Sequence, residues 1–276
     1  MSQPPETLES LKALSRRIRY QLVKMSHQSG APHLGSGLSC VDILIAAYWC
    51  VLRVDPLNPK DPLRDRFILS KGHAGSALYA ALAERGFFPA TLLDSFAQTD
   101  ALLTEHPHPH GIPGVEWATG SLGHGLPAGL GMALAARILG RDFRVLACVS
   151  DGECNEGTVW EAALFAAAQR LGNVTVVVDY NKWQATGRSD EVMALPSLAG
   201  KWSAFGWRTS EVDGHDIGAL ADALGNAPDP EGRPTAVIAH TIKGRGISFM
   251  EDDNNWHYRI PTAAEVEKAG QELGVL

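Results

Sequence analysis

At 276 residues the chain is long enough for one good core or two small ones. A hydrophobic share of 45% and a charged share of 20% are ordinary for a globular α/β protein. The net charge of −7 gives no reason to expect a nucleic-acid or anionic-membrane surface. No apolar run reaches membrane-spanning length, and Met1-Ser2-Gln3-Pro4-Pro5-Glu6 has no basic region leading into an apolar stretch, so no signal peptide is expected. Cys40, Cys50, Cys148 and Cys154 form no C-x-x-C pair, which points to reduced, buried thiols in a cytoplasmic protein.

Residues 7–25 place Leu8, Leu11, Leu14, Ile18, Leu22 and Met25 at steps of three and four, which predicts an amphipathic helix. Its other face carries Lys12, Arg16, Arg17 and Arg19 and reads as solvated. Glycines and a proline between Ser29 and Gly37 break the helix and predict a loop. Ser39 is a candidate cap for a helix over 41–52. Residues 67–70 read as a short strand, and Lys71-Gly72-His73 opens a helix through Glu84. His73 thus sits at a strand-to-helix turn, where helix N-terminal amides favour an anion.

Residues 89–118 read mostly as loop. Within them His106, His108 and His110 alternate with prolines, a spacing that splays side chains and argues against metal capture. A helix over 126–139 follows Thr119–Gly125. Gly123-x-Gly125-x-x-Ala128 has the look of a dinucleotide fingerprint, but no clean strand leads into it and Pro127 interrupts it.

Residues 143–149 form a short apolar run, 160–171 an alanine-rich amphipathic run, and 174–178 a second apolar run. These predict strand, helix and strand in one βαβ unit. Asp151 and Asn181 then stand at the carboxyl ends of the two strands. If those strands are parallel neighbours, both side chains point into the crevice where such sheets bind ligands. A carboxylate and a carboxamide oxygen, with a backbone carbonyl and phosphate oxygens, make a Mg²⁺ site that leaves room for a diphosphate. Beyond this unit a helix is predicted over 195–205, a strand over 207–212, a helix over 216–224 and a strand over 235–240. The alternation argues for an α/β fold with one parallel, doubly wound sheet flanked by helices. Lys243-Gly244-Arg245-Gly246, taken alone, reads as a polar surface loop.

Asp151-Gly152-x-x-x-Glu156-Gly157, followed by Asn181 after a valine-rich strand, resembles the pattern of thiamine-diphosphate enzymes. The segment from Arg64 to Ala74 is similar to transketolase, and His33-Leu34-Gly35 sits where transketolases have His-Pro-Gly. The resemblance runs through nearly the whole chain. It is closest to transketolases whose N-terminal, diphosphate-binding part is a separate polypeptide.

That resemblance implies one thiamine-diphosphate-binding (PP-type) domain over 1–276. It implies Asp151, Asn181 and the Trp183 carbonyl as ligands of Mg²⁺, with Ca²⁺ or Mn²⁺ as substitutes. Around the thiamine diphosphate it implies Ser36, His73, Gly120, Ser121, Leu122, Asp151, Gly152, Glu156, Asn181, Lys243 and His257. His33, His73, His106 and His257 would converge as catalytic residues, handling protons on sugar hydroxyls. The implied reaction moves a two-carbon ketol unit from a ketose (phosphate) donor to an aldose acceptor. In the family a glutamate of the pyrimidine-binding domain protonates the cofactor ring. No segment here resembles that domain, so a complementary C-terminal subunit is expected, in an α₂β₂ assembly.

Departures from the family pattern are Ser150 for a glycine, Leu34 for a proline and His124 for a glutamine. They leave the donor sugar open. His108 and His110 have no family counterpart and are expected to be solvated. Two rival enzymes share the cofactor: the α subunit of a 2-oxo-acid dehydrogenase and the front half of a deoxyxylulose-phosphate synthase. The histidine set with Trp256-His257 favours ketol transfer over both. A non-catalytic module that binds a nucleotide or diphosphate is the reading from a different class.

Overall fold

The computed structural model describes residues 7–226 and 228–276. The N-terminal hexapeptide, on which the signal-peptide expectation rests, lies outside them. The first helix, α1 (Leu8–Ser29), starts where the Thr7 hydroxyl accepts a hydrogen bond from the Ser10 N–H and ends at Gly30 in left-handed backbone. It buries Leu11, Leu14, Ile18, Leu22 and Met25 of the predicted stripe, while Leu8, in its first turn, is exposed. Arg19 departs from the expected solvated face. It is buried and paired with Asp42 at 2.6 Å.

The glycine-rich segment expected as a loop contains a short helix, α2 (Leu34–Ser39), buried along its whole length. Ser39 closes this helix instead of capping the next one, α3 (Val41–Ile45), which runs into a π-helical turn over Ala46–Val51. Strand β1 (Arg66–Leu69) then leads through a 3₁₀ turn into α4 (Gly75–Arg85). After a long connection come α5 (Gly125–Ile138), β2 (Val145–Ser150), α6 (Gly157–Ala168) and β3 (Val174–Tyr180). Two short helices follow, α7 (Ser189–Met193) and α8 (Leu198–Ala204). Strand β4 (Arg208–Asp213), α9 (Ile217–Gly225) and β5 (Thr235–His240) complete the sheet. The chain ends in α10 (Ala263–Glu272), which the hydrophobic spacing does not predict. It opens with a Thr262–Glu265 capping box.

All five strands are parallel, in the order β1-β2-β3-β5-β4. Strands β2 and β3 are buried almost end to end, as apolar runs in the middle of a two-sided parallel sheet must be. Edge strand β4 is half-exposed. Leu69, Leu146, Val177 and Val237 pack on one face with Leu22, Leu44, Tyr79 and Leu220. Ile68, Val145, Val176 and Val178 pack on the other with Leu130, Ala163 and Trp202. Helices therefore cover both faces, and every strand points its carboxyl end to one rim. No described helix is long and apolar enough to cross a membrane. Cys40, Cys148 and Cys154 are free and buried, and the exposed Cys50 is the exception to the expected burial.

Candidate active site

Ser150 pairs with Asp179 in the β2–β3 register, so Asp151 and Asn181 leave neighbouring parallel strands at the same rim. Both are buried. Asp151 Oδ2 accepts from the Lys182 N–H (3.0 Å) and the Ser189 hydroxyl (2.7 Å). Asp151 Oδ1 is buried with no hydrogen-bond partner. Burial pushes this carboxyl up to about 6; Asp179 adds to the push and the Ser189 bond opposes it. Asn181 Oδ1 accepts from the Trp183 N–H (3.0 Å), and its Nδ2 donates to Ser39 Oγ (3.4 Å).

The chain turns sharply at Lys182, whose φ of 69° is left-handed. This brings Trp183 back against Arg188 in an antiparallel bridge. Asp252 secures the turn from the facing loop. It accepts from Trp183 Nε1 (2.8 Å) and from both ends of the Arg188 guanidinium (2.7 and 2.6 Å). That guanidinium lies 3.8 Å above the Trp183 ring centre. Among the described residues no cluster of His, Cys, Asp and Glu is suited to a metal. The free valence here is on oxygen: a carboxylate with an unpartnered lone pair, a carboxamide and main-chain carbonyls. That set fits a hard divalent cation such as Mg²⁺ or Ca²⁺ and not a soft one.

Beneath this pole lies a dry ionic hub. Asp179, fully buried at the end of β3, accepts from the Lys71 ammonium, the Ser39 hydroxyl (2.6 Å) and the Thr241 hydroxyl. Lys71 also donates to the Ser36 carbonyl at 3.0 Å. Burial works to discharge Lys71, but the Asp179 carboxylate outweighs it and holds the ammonium above its ordinary value. One network thus joins the ends of β1, β3 and β5 to α2. Sequence reasoning missed it. The available signal was an acid closing an otherwise apolar strand, Val174–Tyr180.

The histidines gather on one side of the same rim. The ring centre of His33 stands 4.9 Å from that of His257, 5.5 Å from His73 and 6.0 Å from His106. His33 has left-handed backbone (φ 71°), and its N–H donates to the His257 carbonyl at 2.7 Å, which locks the two loops together. Its Nδ1 lies 2.9 Å from Glu105 Oε1, outside hydrogen-bond geometry. Burial lowers His33, His73 and His257, with nearby cations adding to the effect, and His257 falls to about 3. These three rings are neutral at pH 7. Lys243 donates to Asn254 Oδ1 (2.6 Å) and to His257 Nδ1 (3.0 Å); burial, with Lys71 adding, pulls it down to about 8. A neutral His257 whose Nδ1 accepts from an ammonium carries its proton on Nε2.

A cavity of about 400 Å³ opens between the oxygen pole and the histidines. Its lining includes His33, Ser36, His73 and His257 on one hand, and Gly152, Asn181 and Trp183 on the other. Gly120 and Leu122 line it as well. His106 packs against Gly120: a Cβ there would stand 3.3 Å from the imidazole. Lys243 lies buried behind His257, and Asp151 is not among the lining residues; it lines a smaller cavity with Tyr180, Ser189 and Leu198. Ser121 and Glu156 are exposed and stand apart from the cavity.

The buried acid of the motif is Glu153, which sequence reasoning also missed. It accepts from the Ser70 hydroxyl, the Gly123 N–H (2.8 Å) and the Ser150 N–H (3.2 Å), and so fastens the Gly120–Gly125 turn to the ends of β1 and β2. His124 and His110 are exposed, while His108 is half-buried with its ring centre 5.9 Å from that of His110.

A doubly wound parallel sheet with an oxygen pole and neutral histidines at one crevice defines a ligand-binding α/β layer. The family described as transketolase, thiamine diphosphate binding domain, matches residues 11–276, and the chain belongs to it. It is 41% identical to one of the subunits of apulose-4-phosphate transketolase from Actinobacillus succinogenes, over 96% of this chain and 96% of that one. It is 40% identical to one of the subunits of 6-deoxy-6-sulfo-D-fructose transketolase from a Clostridium species, over 87% of this chain and 90% of that one. Among solved structures, a transketolase variant from Pichia stipitis superposes with a TM-score of 0.89 at 30% identity, over 96% of this chain. The chain spans 40% of the length of that transketolase.

Proposed function

We propose that the chain is the N-terminal, cofactor-holding subunit of a split transketolase, forming one PP-type domain over its length and working in the cytoplasm. Relatives of nearly the same span carry the name of a transketolase subunit. The observation that carries the reading is the convergence of His33, His73, His106 and His257 beside the Asp151–Asn181 oxygen pole.

Asp151 Oδ1, Asn181 Oδ1 and the Trp183 carbonyl hold Mg²⁺, with Ca²⁺ or Mn²⁺ as substitutes. The orphaned Asp151 Oδ1 supports this assignment, since a buried carboxylate oxygen left without a donor is stabilised by a cation. Beside Gly152, which lines the cavity, these residues would hold a cation that would offset the charge of the diphosphate of thiamine diphosphate. Ser36, Gly120 and Leu122 contribute to the same binding surface, and Lys243 acts on it through His257. When bound, thiamine diphosphate supplies the carbanion chemistry and electron sink for breaking the bond beside a ketose carbonyl.

The chain's own residues bind, orient and move protons. His257, protonated on Nε2, donates to a donor-sugar oxygen. His33, neutral and turned into the cavity by its left-handed backbone, takes a proton from a sugar hydroxyl. His106 faces the hydroxyl end of the two-carbon unit. His73, at the helix entrance, contacts the cofactor. A neutral imidazole suits this work because it both gives and accepts hydrogen bonds near pH 7.

The partner is a C-terminal subunit that contributes the pyrimidine-side glutamate, in an α₂β₂ assembly, and the substrates are sugars or sugar phosphates. The test is an assay of the two subunits together with thiamine diphosphate and Mg²⁺. Ketose–aldose exchange without pyruvate decarboxylation is the expected result. Pyruvate decarboxylation without exchange assigns the chain to a 2-oxo-acid dehydrogenase and overturns the proposal.

A further inference from the structure

Two buried polar atoms without hydrogen-bond partners flank Gly152, and they are of opposite kind. Asp151 Oδ1 is an acceptor and Gln184 Nε2 is a donor. The backbone sets Gln184 in place. It follows Trp183 in the turn closed by the Trp183–Arg188 bridge, and its N–H donates to the Gly187 carbonyl at 2.9 Å. Its aliphatic stem crosses Gly152, where an added Cβ would stand 3.1 Å from Gln184 Cγ. Gly152 and Gln184 both line the 400 Å³ cavity. A buried carboxamide donor held this way without an acceptor destabilises the empty site. A ligand oxygen removes that destabilisation.

Resting on the transketolase-type reading, we infer that Gln184 is a binding residue whose Nε2 donates to a non-bridging oxygen of the diphosphate held at the Asp151–Asn181 pole. The pairing of orphans carries the argument. On one side of Gly152 an unpartnered acceptor draws the cation; on the other an unpartnered donor takes the anion that the cation brings. The donor has to be neutral. A lysine or arginine here would pair with Asp151 and compete with the metal for the same lone pair. Sugar oxygens already have the imidazoles of His33, His106 and His257.

Calorimetric titration of the full chain with thiamine diphosphate, and separately with inorganic pyrophosphate, each with Mg²⁺, tests the inference. Gln184→Leu and the near-isosteric Gln184→Glu are compared with the wild type, with circular dichroism to establish that each is folded. Gln184→Leu is expected to weaken both ligands about tenfold to a hundredfold, the range of a hydrogen bond to a charged group. Gln184→Glu is expected to weaken both further by repelling the anion, and it decides the matter if the leucine variant does not fold. Unchanged affinity in the variants overturns the inference and leaves the functional reading standing. Loss for thiamine diphosphate but not for pyrophosphate also overturns it, because the contact is then elsewhere on the cofactor. A wild-type chain that binds neither ligand overturns the functional reading itself.

Discussion

On the proposed reading, Asp151 couples metal binding to pH. Its folded value of about 6 lies above the ordinary carboxyl value, so the metal-free fold favours the protonated form. Its contribution to the stability of that fold is therefore present below the unfolded value and lost as pH rises through about 6. The proposed metal binding has the opposite sign, because a metal takes the carboxylate form. Mg²⁺ affinity should hold above about pH 6 and fall by roughly tenfold per unit below it. Titration of Mg²⁺ between pH 5 and 8 measures this, and Asp151→Asn should abolish both the affinity and its pH dependence. An affinity unchanged across that range would remove Asp151 from the metal. Lys243 sets the alkaline side. Charged below about 8, it holds His257 Nδ1; activity of the assembled enzyme should decline above that pH. Lys243→Met should lower kcat about tenfold to a hundredfold and erase the alkaline limb of the pH–rate profile.

The loop after β5 is where local backbone and site meet. His215 accepts from the Ile242 N–H on Nε2 (2.9 Å), and its Nδ1 faces Asp42 Oδ2 at 2.8 Å. Asp42 is itself held ionised by Arg19, His215 and Ser15 against the opposing effect of burial. The turn after it needs Gly244, whose φ is 79° and whose added Cβ would meet the Met250 carbonyl at 2.1 Å. Gly244→Ala should cost about 1–3 kcal/mol in thermal or denaturant unfolding, and it should raise KM for the cofactor by moving Lys243. An unchanged Tm with unchanged KM would mean the turn yields without effect.

Strands and long helices of this chain follow from hydrophobic spacing alone, because β2 and β3 are uninterrupted apolar runs and α1 carries a regular stripe. Helix α2 was hidden because glycines at 35 and 37 are poor helix formers; complete burial sustains it where propensity does not. Arg19 looked solvated because its partner Asp42 is distant in sequence. Asp151 and Asn181 were readable from their places at strand ends, and the histidines from the resemblance to transketolase. Glu153 and Gln184 were not, since their meaning lies in which buried atoms they satisfy or leave free.

At the scale of the whole molecule, the site rests on the Lys71–Asp179 pair, which joins the carboxyl ends of three strands to α2. Lys71→Met leaves a buried carboxylate without its cation and should cost about 3–5 kcal/mol. Replacing both partners with apolar residues should recover part of that loss, measured by denaturant unfolding of the single and double variants. A loss in the double variant equal to the sum of the two single losses would mean that the pair is not coupled. The central claim concerns one cation at two neighbouring strand ends. A crystal of the chain grown with Mn²⁺ and thiamine diphosphate, with the metal located by anomalous scattering, tests it most directly. One ion is expected about 2.1 Å from oxygens of Asp151, Asn181 and Trp183, beside the diphosphate. An ion bound by the histidines instead, or a cofactor seated without any metal at these residues, would contradict it.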